Sequence, residues 1–262
     1  VPASRAAETA HPLCYVGVST KMYLGYQASL DWLTAVHGIV AARSPLPRGL
    51  TVFVAPSFPI LESARRILAG SGVVLGAQDC GTAGGALTGE VSPALLAEMG
   101  VELVEIGHAE RRRLFGETDA VVAEKTAAAA LAGLTPLLCV GETVRGSPAA
   151  AARFCWEQVT AALGASVPPE RVVVAYEPVW AIGAAIPADP DYVNDVVARL
   201  RELLDQPERA GRARIIYGGS AGPGLLPRLE SVDGLFLGRF AHDPAGFGRV
   251  LDEAILRASL QP

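Results

Sequence analysis

The chain has 262 residues, half of them apolar, and a formal net charge of −5. That length supplies one large core or two small ones. No Lys/Arg run argues for a nucleic acid or an acidic membrane surface as partner, and no apolar run approaches the ~20 residues that cross a bilayer.

Among 22 basic side chains only Lys21 and Lys125 are lysines, so a lysine at either position stands out. The cysteines, Cys14, Cys80, Cys139 and Cys155, have no metal or redox spacing. Three of them sit in or beside apolar patterns, where a thiol behaves as a small hydrophobe. That usage points to a reducing, cytoplasmic setting and leaves a disulfide open. Residues 1–12 are Ala-rich and mixed in charge, without the apolar centre of a secretory signal. They read as a disordered extension ahead of one domain over residues 13–262.

Leu13–Val18 is a short apolar strand, followed by the polar turn Ser19-Thr20-Lys21 and a helical pattern from about Gln27 to Ala42. Thr51–Val54 is the next strand, and Ser57 is placed to cap a helix running to about Ala69. Val73–Gln78 is a third strand, opening into the Gly-rich loop Asp79–Glu90; Ser92-Pro93 then starts a short helix. Glu102–Ile106 is strand four, with Gly107-His108-Ala109-Glu110-Arg111-Arg112 after it and a helix from Asp119 to about Ala132. Thr135–Val140 ends in Gly141-Glu142-Thr143, and a helix spans Pro148–Leu163.

The sixth strand ends in the chain's most informative stretch, Val172-Val-Val-Ala-Tyr-Glu-Pro-Val-Trp-Ala-Ile-Gly183. Pro178 stops the ladder one residue after Glu177. An acid therefore stands at a rigid strand tip beside an apolar flap, and a carboxylate that can be dried is a stronger base. By itself this reads equally well as a solvated Glu at a strand end. A helix over Asp189–Leu204, a strand at Arg214–Tyr217, a short helix over Gly224–Leu229, a strand at Leu235–Leu237 and a last helix over Pro244–Ala258 complete the chain.

Eight strand–helix alternations with short links predict a single-domain α/β fold, a closed (β/α)8 barrel. A doubly wound open sheet fits less well, because no strand leads into a dinucleotide-type G-x-G-x-x-G loop. The barrel places Lys21, His108, Glu142, Glu177, Ser220 and Gly238-Arg239 just past the C-terminal strand ends, the rim where this fold builds active sites. Gly218-Gly219-Ser220 and Gly238-Arg239 follow strands seven and eight, a usual seat for a phosphate held by backbone N–H groups. Singly, each group has a bland reading: a structural histidine, a surface lysine, a plain Gly-Gly-Ser turn. Their gathering on one rim is what points to a site. His11, His37 and His242 lack that setting and receive no role.

On these residues the chain resembles the triosephosphate isomerase family from about Tyr15 to Ala258. The resemblance rests on Lys21-Met22, Ala77-Gln78 with Thr88-Gly89-Glu90, Ile106–Arg112, Cys139–Glu142, Tyr176–Gly183 and Tyr217–Ser220. It implies a proton-shuttling isomerase of a small phosphorylated sugar, needing no metal or organic cofactor. It further implies Glu177 as the base, His108 as a neutral electrophile, and Lys21 as the positive charge facing the phosphate and the developing oxyanion. Gly183, Ser220 and Gly238 would offer N–H groups to the phosphate, under a lid over Val179–Ala188. A Glu base paired with a neutral His beneath a closing loop is the general scheme of the family, carried here onto matching positions. The family's loop after strand three docks into a second subunit. The resemblance thus predicts a homodimer through Asp79–Ala86, a stretch about one residue shorter than usual.

The departures carry information. The family has Asn where this chain has Ser19, Trp at Thr20, and Ser at Ala109. Its lid ends Gly-Thr-Gly-Lys, here Gly183-Ala-Ala-Ile-Pro187, and it has two glycines where this chain has Gly238-Arg239. The chemistry stays while its surroundings change, as expected of an altered substrate. Ser19 with Gly238-Arg239 resembles the branch acting on erythrulose phosphates, with Ser19 and Ala109 making room for a fourth carbon and Arg239 meeting the phosphate or shaping the mouth. The favoured expectation is L-erythrulose 1-phosphate to D-erythrulose 4-phosphate; the alternatives are glycolytic triosephosphate isomerase and a non-catalytic sugar-phosphate-binding barrel.

Overall fold

The computed structural model describes residues 14–164, 167–205 and 214–260. The expected N-terminal extension lies outside the described residues. Eight parallel strands form a closed barrel in sequence order, β1 (Cys14–Ser19), β2 (Leu50–Ala55), β3 (Val74–Ala77), β4 (Leu103–Ile106), β5 (Thr135–Val140), β6 (Val173–Tyr176), β7 (Arg214–Gly218) and β8 (Gly234–Leu237). β8 pairs with β1 from Tyr15↔Gly234 to Val18↔Leu237, which closes the ring. The predicted (β/α)8 barrel is borne out.

The helices are α1 (Tyr26–Ala41), α2 (Leu61–Ile67), α3 (Pro93–Glu98), α4 (Ala109–Phe115), α5 (Asp119–Leu131), α6 (Pro148–Leu163), α7 (Pro190–Leu204) and α8 (Pro244–Ser259). Side chains that compete with the backbone mark several starts: Thr118, Ser147, Asp189 and Asp243 each accept from an N–H of the first turn. None of these helices is long and apolar enough to cross a membrane.

Three local expectations fail, each for a physical reason. Ser57 does not cap α2. A 3₁₀ turn, Phe58–Ile60, intervenes, and the Ser57 hydroxyl instead donates to the Lys21 carbonyl at 2.6 Å. The helix expected over Gly224–Leu229 is only a 3₁₀ turn, Leu226–Arg228. Gly222, Pro223, Gly224 and Pro227 leave no uninterrupted run for an α-helix. β4 is followed by two helices where one was expected, because Gly116 takes φ 70° and ends α4 ahead of the Thr118 cap.

Period-two alternation sorts each strand's side chains. One set fills the barrel interior: Tyr15, Phe53, Leu103, Leu137, Cys139, Val173, Ala175, Ile216 and Phe236. The other set joins the helices in the larger surrounding core. Phe53 stacks on Phe236 at 5.7 Å between centroids and occupies the space at Gly17, where a Cβ would lie 1.8 Å from its ring. Continuing the inward alternation one step past that interior brings Ser19, Glu105, Gly141, Glu177, Gly218 and Gly238 to the top of the barrel.

Candidate active site

A cavity of about 630 Å³ opens at that C-terminal rim. Eight residues singled out from sequence line it: Ser19, Lys21, His108, Glu177, Gly183, Ser220, Gly238 and Arg239. Glu142, placed on the same rim, is not part of its wall. A larger surface depression, about 750 Å³, lies between Thr82–Gly84 and α5, but its only ionisable lining group is Glu124. Chemistry concentrates at the rim.

Lys21 follows β1 with φ 48°, a left-handed conformation uncommon for a side-chain-bearing residue. Hydrogen bonds on either side hold it there. Ser57 Oγ and Gln78 Nε2 both donate to its carbonyl, at 2.6 and 3.0 Å, while Thr20 N donates to Ala55 O at 3.1 Å. The Lys21 ammonium meets Glu110 Oε1 at 2.7 Å. Burial disfavours its charge, but the hydrogen bond and charge of Glu110 outweigh that and raise its pKa. Burial likewise opposes the Glu110 carboxylate, and Lys21 holds it below the usual range.

His108 is buried and caps α4: its Nδ1 accepts from Glu110 N at 3.1 Å. A backbone N–H only donates, so Nδ1 presents its lone pair and the ring proton belongs on Nε2. Nε2 stands 3.6 Å from Glu177 Oε2 and 3.9 Å from Glu105 Oε1. The imidazole therefore offers one N–H between two carboxyl groups.

Glu177 extends β6 by one ladder bond, Glu177 N to Val140 O at 2.8 Å. Its neighbours on both sides are glycines of necessity. A Cβ at Gly218 would lie 2.4 Å from Oε1, and one at Gly141 would lie 2.0 Å from the Glu177 carbonyl oxygen. Its Oε2 is buried without a hydrogen-bond partner. Ala109, beside His108, has no hydroxyl to supply one. The carboxylate is thus fixed in position by backbone and left free at the atom nearest the imidazole.

The flap after Glu177 starts as a 3₁₀ turn, Val179–Ala181. At its near end Trp180 Nε1, Tyr176 OH and Tyr192 OH all donate to Glu142, at 2.8 to 3.2 Å. Further along, Ser220 Oγ donates to Ala184 O at 2.8 Å, Ala188 N donates to Tyr217 OH at 3.2 Å, and Arg239 Nη2 donates to Gly183 O at 3.2 Å. Arg239 lies at the strand-eight rim as expected, and one of its N–H groups reaches the flap while the residue lines the cavity. Ser220, with φ 51°, likewise turns its hydroxyl to the flap.

Sequence patterns alone did not single out Glu105 or Glu110, nor the close packing of Glu177 that requires glycine at 141 and 218. Glu105 is 3 % exposed. Burial pushes its carboxyl up to about 7, with Glu177 adding to the rise and His108, Lys21 and the Ser19 hydroxyl opposing it. A signal was present: Glu105 occupies an inward position of a strand whose other inward residue, Leu103, is apolar.

The model of the triosephosphate isomerase family matches residues 14–254. The chain belongs to that family. A relative from Pectobacterium atrosepticum named L-erythrulose-1-phosphate isomerase is 51% identical over 93% of this chain and 96% of its own length. One of the same name from Rhizobium rhizogenes is 39% identical, covering 93% and 95%. The triosephosphate isomerase of Aquifex aeolicus is 38% identical over 78% of this chain and 86% of its own. In structure the barrel is similar to the crystallised triosephosphate isomerase of Bartonella henselae, with a TM-score of 0.80 at 29% identity, covering 95% and 100%. As a triosephosphate isomerase family member with this rim, the chain is an isomerase of a sugar phosphate.

Proposed function

We propose that this enzyme converts L-erythrulose 1-phosphate to D-erythrulose 4-phosphate, with Glu177 as the base, His108 as the electrophile and Lys21 as the fixed cation. The observation that carries the chemistry is the placement of Glu177 Oε2, unpartnered, 3.6 Å from His108 Nε2 in one cavity. Glu177 takes the proton from the carbon next to the ketone. The Nε2 proton of His108 faces the carbonyl oxygen, and the electron pair moves onto it as an enediolate. Protons are exchanged between the two oxygens, and Glu177 returns its proton to the former carbonyl carbon. The carbonyl moves by one carbon, no electrons leave the substrate, and no cofactor takes part. Backbone N–H groups at Gly183, Ser220 and Gly238 receive the phosphate, and the flap excludes water from the charged intermediate. Ser19 and Ala109 leave space around the reacting carbons.

The four-carbon substrate is supported by the relative that shares 51% identity across 93% of the chain. The three-carbon reading is supported by the 38% identity to a triosephosphate isomerase. The two ketose substrates, L-erythrulose 1-phosphate and dihydroxyacetone phosphate, differ only in a hydroxymethyl group replacing one hydrogen on the carbon that loses its proton. Paired steady-state assays on L-erythrulose 1-phosphate and glyceraldehyde 3-phosphate separate the two readings.

The enzyme works as a homodimer through Asp79–Ala86. Met22 is 90% exposed and Phe115 68% exposed, with Tyr23, Leu87 and Leu114 also open, apolar side chains that a second subunit could cover. Light scattering at micromolar concentration is expected to give twice the monomer mass, and a monomer there contradicts this reading. All the cysteines are free and buried, which supports a reducing, cytoplasmic setting.

A further inference from the structure

We infer that Glu105 is the specificity-determining residue that hydrogen-bonds the terminal hydroxyl of the four-carbon substrate. The inference rests on the four-carbon reading above and adds the group that recognises the extra carbon. It starts from an energetic anomaly. Glu105 is buried at an inward position on β4, and its Oε2 meets no hydrogen-bond partner. A buried carboxyl without a full set of partners is costly, and an apolar side chain of similar volume would fill the same barrel position at less cost. Leu103, Leu137, Val173 and Ile216 show what other inward positions use. The buried carboxylates Asp79 and Glu117 differ in charge pairing: each contacts both Lys125 and Arg111, although Glu117 Oε2 also lacks a hydrogen bond. Among the described residues no Lys or Arg pairs with Glu105 in this way.

Its location gives the anomaly a use. Oε1 lies 3.9 Å from His108 Nε2, the atom that faces the substrate oxygens, and Glu177 reaches the same nitrogen at 3.6 Å. Glu105 is not itself in the cavity wall, but it stands directly behind two residues that are, His108 and Ser19, so a group entering between them would meet its carboxyl. Ser19, which lines the cavity, ends the inward row of β1 and brings its short hydroxyl to the Glu105 carboxyl across the barrel interior. A three-carbon substrate presents only hydrogen at the carbon concerned. The four-carbon substrate presents a hydroxymethyl group, whose hydroxyl both donates and accepts. A carboxyl group that burial holds near neutrality complements it in either charge state. A site built to bond a hydroxyl discriminates strongly against a ligand lacking it, since its own polar group is then left unpaired.

The test compares wild type, Glu105→Leu and Glu105→Gln on three compounds: L-erythrulose 1-phosphate, its 4-deoxy analogue with methyl in place of hydroxymethyl, and dihydroxyacetone phosphate. For Glu105→Leu the ratio of kcat/KM for L-erythrulose 1-phosphate to that for dihydroxyacetone phosphate is expected to fall about 10- to 100-fold, the range of one charged hydrogen bond. Wild type should prefer the hydroxyl compound over its 4-deoxy analogue, and Glu105→Leu should lose that preference. Glu105→Gln, which keeps a donor and an acceptor, should fall between. Melting temperatures guard against misfolding, and Glu105→Leu is expected to melt no lower than wild type. Equal losses on all compounds would make Glu105 a positioning group for His108 and overturn the inference. An unchanged ratio would overturn it as well. Failure of the substrate reading is seen separately, in wild type alone, as preference for dihydroxyacetone phosphate over L-erythrulose 1-phosphate; with no hydroxyl to bind, that result sinks the inference too.

Discussion

Two clusters of buried charge sit within a few residues of each other in sequence and are built on opposite principles. At the base of the loop after β3, Lys125 holds Asp79 at 2.8 Å and Glu117 at 2.5 Å, while Arg111 reaches Asp79 at 2.8 Å and Glu117 at 2.5 Å. Two cations face two anions, and each carboxylate touches both cations. At the rim, Glu105 and Glu177 face a single imidazole N–H, each with one oxygen unpartnered, and the nearby Lys21 is engaged by Glu110. The first cluster uses charge to fix a loop. Glu117 Oε2 is unpartnered as well, so the difference is one of charge: the second cluster leaves two carboxyls without a paired cation, among the described residues, beside a cavity where a substrate can use them.

The contrast is broken most severely at Glu177. Glu177→Gln keeps the shape and removes the ability to take a proton, so kcat should fall by at least ~10³, with the melting temperature close to wild type. Retention of more than about a tenth of the activity would remove Glu177 as the base.

The balanced cluster should answer in stability instead of rate. Lys125→Met leaves Asp79 and Glu117 with one cation between them, a loss of ~3–5 kcal/mol for a broken buried pair. Thermal unfolding should show it as a large drop, with the residual folded enzyme still turning over. A melting temperature within a degree of wild type would mean the network is ornamental.

Glu105 gives a smaller effect with a characteristic pH dependence. Its carboxyl ionises near the ordinary 4.5 when unfolded, but burial holds it at about 7 in the fold. Between those values the unfolded chain releases a proton that the folded protein keeps, so stability is lost as pH rises through that window and the penalty is complete above it. The melting advantage of Glu105→Leu over wild type should widen from pH 4.5 to about 7, by up to about 3 kcal/mol, and then level off. A constant difference would show that Glu105 is not held protonated by burial.

The smallest effect belongs to Arg239. Its bond to Gly183 O is long, at 3.2 Å, and exposed. Arg239→Gly should raise KM only a few-fold, equally for both substrates, by loosening the flap; the bond's length and exposure hold it to about 1 kcal/mol. A selective loss on the four-carbon substrate would return Arg239 to the role of specificity mark that its position first suggested.

Those outcomes also mark how far the residues could be read in one dimension. The rim positions of Glu177, His108 and Lys21 were legible because strand ends are local features: an acid before Pro178, a histidine after Gly107, a lysine in a polar turn. Asp189 was legible as a cap for the same reason, since its partner, Asp191 N, is two residues away. Ser57 was misread because a 3₁₀ turn, Phe58–Ile60, separates it from α2, while its hydroxyl donates to the Lys21 carbonyl 36 residues back. Arg239 was placed correctly, yet its direction depends on a carbonyl 56 residues away. Glu105 was missed altogether. In Val101-Glu-Leu-Val-Glu-Ile106 two glutamates sit three apart, and only the barrel's inward alternation separates an exposed Glu102 from a buried Glu105.

The central claim is that this rim is an isomerase site tuned to a four-carbon ketose phosphate. It is tested most directly by kcat/KM of the purified enzyme on L-erythrulose 1-phosphate and on glyceraldehyde 3-phosphate under identical conditions. The expected result is at least a tenfold preference, about 1.4 kcal/mol, for L-erythrulose 1-phosphate. A preference of that size for glyceraldehyde 3-phosphate would contradict it.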